Sequence, residues 1–349
     1  DIVGHRARSI STIVVIALLL SLGLSFALSM SSIEEGVKKR FNENERWDIR
    51  VSFNIPQNIS ALSTLKSIHG VEEVEPYTGY DAEIFYKNKS VIIRLHELRE
   101  DTKMHSFSLP QDVSTGIIIS GDVAYRLGVS VGDKVILYTP FGVNETKISG
   151  IPQEFGTSEG YVFKNFTNST GALLKVRNGE VDKVEKFLQD VPFIKSWVRK
   201  DELRDGWLYL MNEYYGMVYA WDMVIAILVV ITIGVFAFIS IMEREWDFVI
   251  LKSMGFSNLN ILHSGIWGTV LLSFIGSLFA IPLGMHLATL FNSSFENLLS
   301  PPPTILDANI IILRSMLVIG ASSFTVFFVM ISTLKRNIAE RMRRVFETM

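Results

Sequence analysis

The residues of this chain that could do chemistry are few and poorly spaced for it. Its 349 residues include no cysteine, which excludes disulfides, thiolate metal sites and cysteine nucleophiles. No G-x-x-x-x-G-K-[ST] loop is present to cradle a nucleotide phosphate, and no His-Glu-x-x-His spacing gathers metal ligands. His263 and His286 fall in or near one apolar run but far apart; neutral imidazoles at helix–helix contacts are the expected reading. Asp307 and Arg314 flank the start of another apolar run and are placed to pair. No catalytic, cofactor-binding or metal-binding residue is assigned, and the chain does not read as an enzyme.

One stretch is instead built to bind. Glu243-Arg-Glu-Trp-Asp-Phe-Val-Ile-Leu-Lys-Ser-Met-Gly-Phe-Ser, read as a helix, sets Trp246, Val249, Ile250 and Ser253 on one stripe with Leu251 and Met254 beside it. Gly255 is placed to end it. Its acidic residues Glu243, Glu245 and Asp247 would be repelled by anionic lipid, so a protein groove suits the stripe better than a membrane surface.

The elements around this link are mostly apolar runs. No Asp, Glu, Lys or Arg falls between Ser9 and Ile33, Met223 and Met242, Ser253 and Phe295, or Ser315 and Leu334. Each run reaches the roughly 20 residues that span a bilayer core. This predicts an α-helical membrane protein with four spans in a one-plus-three layout, at 10–31, 217–242, 261–291 and 313–334. A basic lead-in (1–9), the link (243–260), an outer loop (292–312) and a basic tail (335–349) connect and flank them. The chain opens on Asp1 and reads as an excerpt of a longer protein, its first run a retained span rather than a cleaved signal.

Orientation follows from short basic segments. Arg6 and Arg8, Arg244 and Lys252, and Lys335, Arg336, Arg341, Arg343 and Arg344 place both ends and the link in the cytoplasm. Residues 32–216 then lie outside. Asn-x-Ser/Thr sequons at Asn58, Asn88, Asn144, Asn165, Asn168 and Asn292 all fall on that outer side, as candidate glycosylation sites. The net charge of −3 points away from nucleic acid.

The outer segment reads as a large α+β domain with a weak internal repeat. Strand–helix–strand units at about 47–77 and 171–198 flank a β-rich insertion at about 80–165, which suggests a split ferredoxin-like subdomain. The first helix, 60–69, faces Leu62, Leu65 and Ile68 inward. The second, 180–189, does the same with Val181, Val184 and Leu188. In the insertion, Lys87-Asn88-Lys89 and Pro140-Phe141-Gly142 mark hairpins, and a helix 121–127 is capped by Ser120 and ended by Gly128. Residues 32–45 and 201–222 form stalks, with Trp207, Leu210, Tyr214 and Tyr215 packing against the first stalk or a second subunit. Tyr219 and Trp221 suit an interfacial belt.

Three stretches carry a family resemblance. Arg244, Glu245, Leu251, Lys252, Ser253, Met254 and Gly255 resemble the R-E-x-x-x-L-[KR]-[AS]-[ML]-G signature that follows the second span of FtsX-like, MacB/LolC-type permeases. Ile118-Ile-Ser-Gly-Asp-Val-Ala-Tyr-Arg-Leu-Gly-Val-Ser-Val-Gly-Asp-Lys-Val is similar to a motif of that family's extracytoplasmic domain, and His5-Arg-Ala-Arg-Ser-Ile to its lead-in. Trp246-Asp247-Phe248 departs from the family's small aliphatic residues.

The resemblance implies an ABC-type permease subunit of the mechanotransmission class. Arg244, Glu245, Trp246, Val249, Ile250, Leu251, Lys252, Met254 and Gly255 would form the coupling helix, seated on a separate cytoplasmic ATPase dimer that binds the ATP. A second permease copy or fused half, membrane lipid and an extracytoplasmic protein are the other implied partners. The work would be extraction or export of a hydrophobic or lipid-linked substrate, or force transmission outward. The competing reading is a membrane-anchored sensor or adhesion protein, which would have no use for a docking helix between the second and third spans.

Overall fold

The computed structural model describes residues 6–107, 109, 116–243, 250–251 and 254–347. The chain divides into two compact units, one of Asp1–Ser29, Tyr214–Phe291 and Thr304–Met349, the other of Met30–Glu213 and Asn292–Pro303.

The first unit is helical. Its segments belong to α1 (Arg6–Lys39), α5 (Lys200–Glu243), α6 (Asn258–Ser293) and α7 (Ala308–Glu347). All four helices are long and apolar enough to cross a membrane. α1 is the central one: 56% of its apolar window is buried inside the protein against 22% for each of the others. Ile16, Leu20, Leu24 and Leu28 of α1 meet Val229 and Ile233 of α5, Ala280 and Ala288 of α6, and Val318 and Val326 of α7. Small residues set the spacing, as expected where apolar helices gain nothing from excluding water. A Cβ on Gly284 of α6 would lie 2.9 Å from Leu24 Cβ, and one on Gly276 would lie 2.8 Å from Ile16 Cγ2. The Ser21 and Ser25 hydroxyls donate to the Leu18 and Leu22 carbonyls, each at 2.8 Å, which satisfies them in an apolar setting. α6 runs unbroken through Pro282. His263 and His286 are exposed on its surface, so neither forms the helix–helix contact expected of it.

The second unit is α+β. Its elements follow the end of α1 in the order β1 (Ile49–Asn58), α2 (Leu62–Lys66), β2 (Val71–Tyr86), β3 (Lys89–Leu98), β4 (Ile117–Ile119), α3 (Gly121–Leu127), β5 (Lys134–Thr139), β6 (Gly142–Gly150), β7 (Glu159–Phe163), β8 (Asn168–Val176), α4 (Val181–Gln189) and β9 (Ile194–Arg199). The first half of β2 joins an antiparallel sheet of order β2-β8-β1-β9. That order, with α2 and α4 as its crossovers, is the split βαβ arrangement. Ile49, Val51, Leu174 and Val176 pack there against Leu62 and Leu65 of α2 and Val184 and Leu188 of α4. The α2 helix is shorter than its sequence pattern suggests, with a 3₁₀ turn at Ile59–Ala61 and an α-helical part of 5 residues.

The second half of β2 belongs to a different structure. There β2 pairs with both β3 and β5, and the ring continues β3-β7-β4-β6-β5. The insertion is thus a closed six-stranded barrel, filled by Ile84, Ile93, Leu95, Ile117, Val135 and Ile148. Closure depends on β7, a strand the sequence pattern does not mark, and on β2 running unbroken for 16 residues past Pro76 and Gly79. α3 covers part of the barrel core with Val123, Ala124 and Leu127 and ends in a Schellman turn: Gly128 N–H donates to Tyr125 O at 3.2 Å and Val129 N–H to Ala124 O at 3.1 Å.

Candidate functional site

Within the α+β unit, the ends of three chain segments meet at one loop, 154–159. α1 passes at Arg40–Asn44 into a π-helical turn, a rare form that often sits at functional positions. From this turn the Arg40 guanidinium donates Nε to Glu45 Oε1 at 2.8 Å, Nη2 to Glu159 Oε1 at 2.8 Å and Nη1 to the Phe155 carbonyl at 3.2 Å. Asn44 Nδ2 donates to Glu154 Oε2. From α5, Trp207 sets its ring edge-on to Phe155 at 4.9 Å, within a cluster that includes Ile33, Val37, Phe41 and Met211. From the segment before α7, Ser300 N–H donates to Gly156 O at 2.7 Å, and Leu299 packs into the same cluster.

The residues after β4 hold this loop in shape. Ser120 occupies the N-cap position of α3, but its hydroxyl does not cap the helix as expected. It accepts from Glu159 N–H at 3.0 Å instead. Asp122, fully buried, accepts from Ser158 N–H at 2.9 Å and from Arg126 at 3.0 Å. Gly121 N–H donates to Ser300 Oγ at 3.2 Å, and a Cβ there would lie 2.6 Å from that oxygen. The Ser120-Gly121-Asp122 stretch therefore works in positioning loop 154–159.

Electrostatics reinforce the clamp. Burial alone would raise the Glu159 carboxyl, but Arg40 and the Tyr161 hydroxyl, which donates at 3.0 Å, bring it down to about 2. Burial lowers His96 to about 4 and His105 to about 3, so both are neutral at pH 7. Burial pushes Glu154 up to about 7 against the opposing effects of Asn44 and Arg40, with Glu159 and Glu45 adding repulsion. The cavity lined by Arg40, Glu45, His96, His105 and Tyr161 is about 20 Å³, space for a water and none for a substrate. Among the described residues no group of His, Asp or Glu is placed to hold a metal.

In the helical unit a second arginine clamps three helices. Arg314 of α7 pairs with Asp222 of α5 at 2.5 Å and donates to the Gly23 carbonyl of α1. This corrects the expected Asp307–Arg314 pair. Asp307 instead accepts from Asn309 N–H at 2.9 Å, capping α7.

The other sequence-marked residues are placed as follows. Trp207 and Tyr215 are half-buried, whereas Leu210 and Tyr214 are 49% and 50% exposed. Tyr219 is exposed, and Trp221 stacks on Phe26 at 5.9 Å. Of the link, Arg244, Glu245, Trp246, Val249, Lys252 and Ser253 lie outside the described residues. Ile250 and Met254 are 55% and 68% exposed, while Leu251 turns inward onto the helical core rather than joining their surface. Gly255 ends the turn at φ +89°, a conformation that only glycine adopts cheaply, and Phe256 N–H reaches back to Leu251 O at 3.1 Å. Asn58, Asn88, Asn144, Asn165 and Asn168 are exposed, but Asn292 is 4% exposed and gives no access to a glycosylating enzyme.

Comparison with known proteins fits this layout. Residues 223–343 match the model of the FtsX-like permease C-terminal family. The lipoprotein-releasing system transmembrane protein LolC of Haemophilus influenzae is 25% identical over 316 residues, covering 80% of this chain and 77% of that protein. Two solved structures are also similar. One is the extracellular domain of the noncanonical ABC-type transporter YknZ from Gram-positive bacteria, with 14% identity, TM-score 0.31, and coverage of 44% of this chain and 98% of that one. The other is the periplasmic region of MacB from Actinobacillus actinomycetemcomitans, with 12% identity, TM-score 0.33, and coverage of 48% and 97%. With its C-terminal spans matching the FtsX-like model, its relation to LolC longer than either unit alone and four helices long and apolar enough to cross a membrane, the chain is a multi-pass membrane protein similar to ABC-type permease subunits of the FtsX/LolC kind.

Proposed function

We propose that this chain is an ABC-type permease subunit and couples ATP hydrolysis by a separate cytoplasmic ATPase to movement of its α+β domain on the other side of the membrane. The observation that carries this reading is the extent of the relation to LolC, which takes in spans and domain together. A lipid-linked or hydrophobic substrate is the favoured cargo, since that relative bears the name of a lipoprotein-releasing system. The link at 243–260 is the docking element, with Ile250 and Met254 on its exposed surface and Gly255 as its stop. Both termini and the link face the cytoplasm, in keeping with their Lys and Arg content. The exposed Leu210 and Tyr214 suit contact with a second permease copy or half.

The test is co-purification of an ABC ATPase with the full chain from its native host. The double substitution Glu245→Lys with Met254→Asp is expected to abolish it while leaving membrane insertion intact. An ATPase retained at full yield by the double variant would remove the link from the docking role.

A further inference from the structure

We infer that Arg40 and loop 154–159 fasten the membrane-connected segments to the domain, so that the domain end of α1 and the barrel move as one body. The inference deepens the coupling function proposed above and rests on it for its meaning, although the fastening itself can be read without nucleotide.

Three observations point to this loop. The first is convergence. Within the α+β unit, loop 154–159 is gripped by the π-turn after α1 through Arg40 and Asn44, by α5 through Trp207, and by the segment before α7 through Ser300. The second is the kind of contact. A guanidinium held by two carboxylates and a carbonyl resists rotation in a way that apolar packing does not, because each bond fixes a direction as well as a distance. Arg40, Glu45 and Glu159 are 12%, 6% and 16% exposed, so water competes little for these bonds. The third is rigidity behind the loop. Its far side is bonded to Ser120 and Asp122, and Glu159 opens β7, a strand of the closed barrel paired with both β3 and β4. A displacement of α1 thus enters the barrel through side-chain bonds at its rim, in addition to the single covalent path along β1. Arg40 is a positioning residue in this scheme.

The absence of cysteine makes the test clean, because two introduced thiols are the only ones in the chain. Spin labels at Glu35→Cys on α1 and Lys89→Cys at the β2–β3 hairpin report the distance between stalk and barrel; both positions are exposed. The full chain in lipid nanodiscs, with its co-purified ATPase, is measured without nucleotide and with ATP plus vanadate. The expected result is one narrow distance distribution, unchanged by nucleotide. Arg40→Gln broadens it in both conditions, and Arg40→Lys, which keeps the charge and loses the fork, broadens it less. Thermal melting of each variant in the same nanodiscs distinguishes a loosened joint from an unfolded domain. Trp207→Ala, which spares every bond to Arg40, is a second way to loosen the same loop. A distribution as narrow in Arg40→Gln and Trp207→Ala as in the parent overturns the inference. So does a parent distribution that splits on adding nucleotide, since the junction would then be a hinge. Failure of the coupling function shows separately, as loss of the ATPase from the preparation, while the nucleotide-free arm still decides the fastening.

Discussion

Each unit contains an arginine clamp, and the two are built differently: Arg314 ties three helices, whereas Arg40 ties the turn after α1 to loop 154–159. Arg314 has one carboxylate, Asp222, and one carbonyl, Gly23, both on neighbouring helices. Arg40 has two carboxylates and a carbonyl, with a further buried acid, Glu154, beside it. The helical clamp is thus charge-balanced and minimal, as a lipid-facing bundle requires where an unpaired charge is expensive. The domain clamp carries an excess of acid even with Glu154 protonated, and that excess grows as Glu154, raised to about 7 by burial, loses its proton. The first is suited to keeping helices together under constant conditions. The second can respond to its surroundings.

The strongest test of this contrast is to break each clamp. Arg40→Met leaves Glu45 and Glu159 buried without their cation and is expected to destabilise the α+β domain by about 3–5 kcal/mol, read from urea unfolding followed by tryptophan fluorescence. Asp222→Asn keeps an acceptor facing Arg314 and should weaken the helical unit by about 1–2 kcal/mol, measured by unfolding in mixed bicelles. Combining Asp222→Asn with Arg314→Met should cost less than the sum of the single changes, because one interaction is removed twice. If Arg40→Met and Asp222→Asn lose equal stability, the contrast between the clamps fails.

The smallest expected effect is confined to pH. Glu154, held at about 7 chiefly by burial, is raised above its ordinary value of 4.5. Its contribution to stability is therefore fully present below that ordinary value and is lost as pH rises through 7. His96 and His105, lowered to about 4 and 3, act in the other direction. Their contribution is present above the ordinary histidine value of 6.5 and is lost as pH falls through those lowered values. Glu154→Gln should remove the fall in stability as pH rises from 4.5 to 7 and leave the loss that His96 and His105 cause on acidification, as followed by melting temperature between about pH 3 and 9. A profile identical to that of the parent would mean that Glu154 is not the group that titrates.

Much of the local structure was legible. The span runs, the helix at 121–127 with its stop at Gly128, and the turns at Lys87 and Gly142 follow from periodicity and punctuation, which act over a few residues. The barrel was not. The first strand–helix–strand unit, expected to end at about 77, and the insertion, expected to begin at about 80, share one strand, β2, which leaves one sheet for another. The closing pair β3–β7 joins Arg94–Leu98 to Glu159–Phe163, a parallel contact that no local pattern encodes. The clamps were hidden for the same reason. Arg314 reaches 92 positions back to Asp222 and 291 to Gly23, and Arg40 reaches 119 forward to Glu159. Asp307 was the nearer partner for Arg314 in sequence, but helix geometry gave it to the cap of α7. The link at 243–260 had the most recognisable sequence of all, and its recognition came from resemblance rather than from any structure visible in the described residues.

Closure of the barrel has a consequence for how this domain lives among other proteins. A ring of strands has no free backbone edge, so among the described residues the open edges are those of the four-stranded sheet: the first half of β2, which pairs with β8 alone, and β9, which pairs with β1 alone. That strand is six residues long, carries Lys195 and Arg199, and runs directly into α5 at Lys200. Short length and basic side chains are the usual protections of an exposed edge against fusion with a foreign strand. That edge is thereby guarded against edge-to-edge aggregation. Whatever binds the barrel must do so through side chains and shape, because the closed ring leaves no strand edge for a partner to extend.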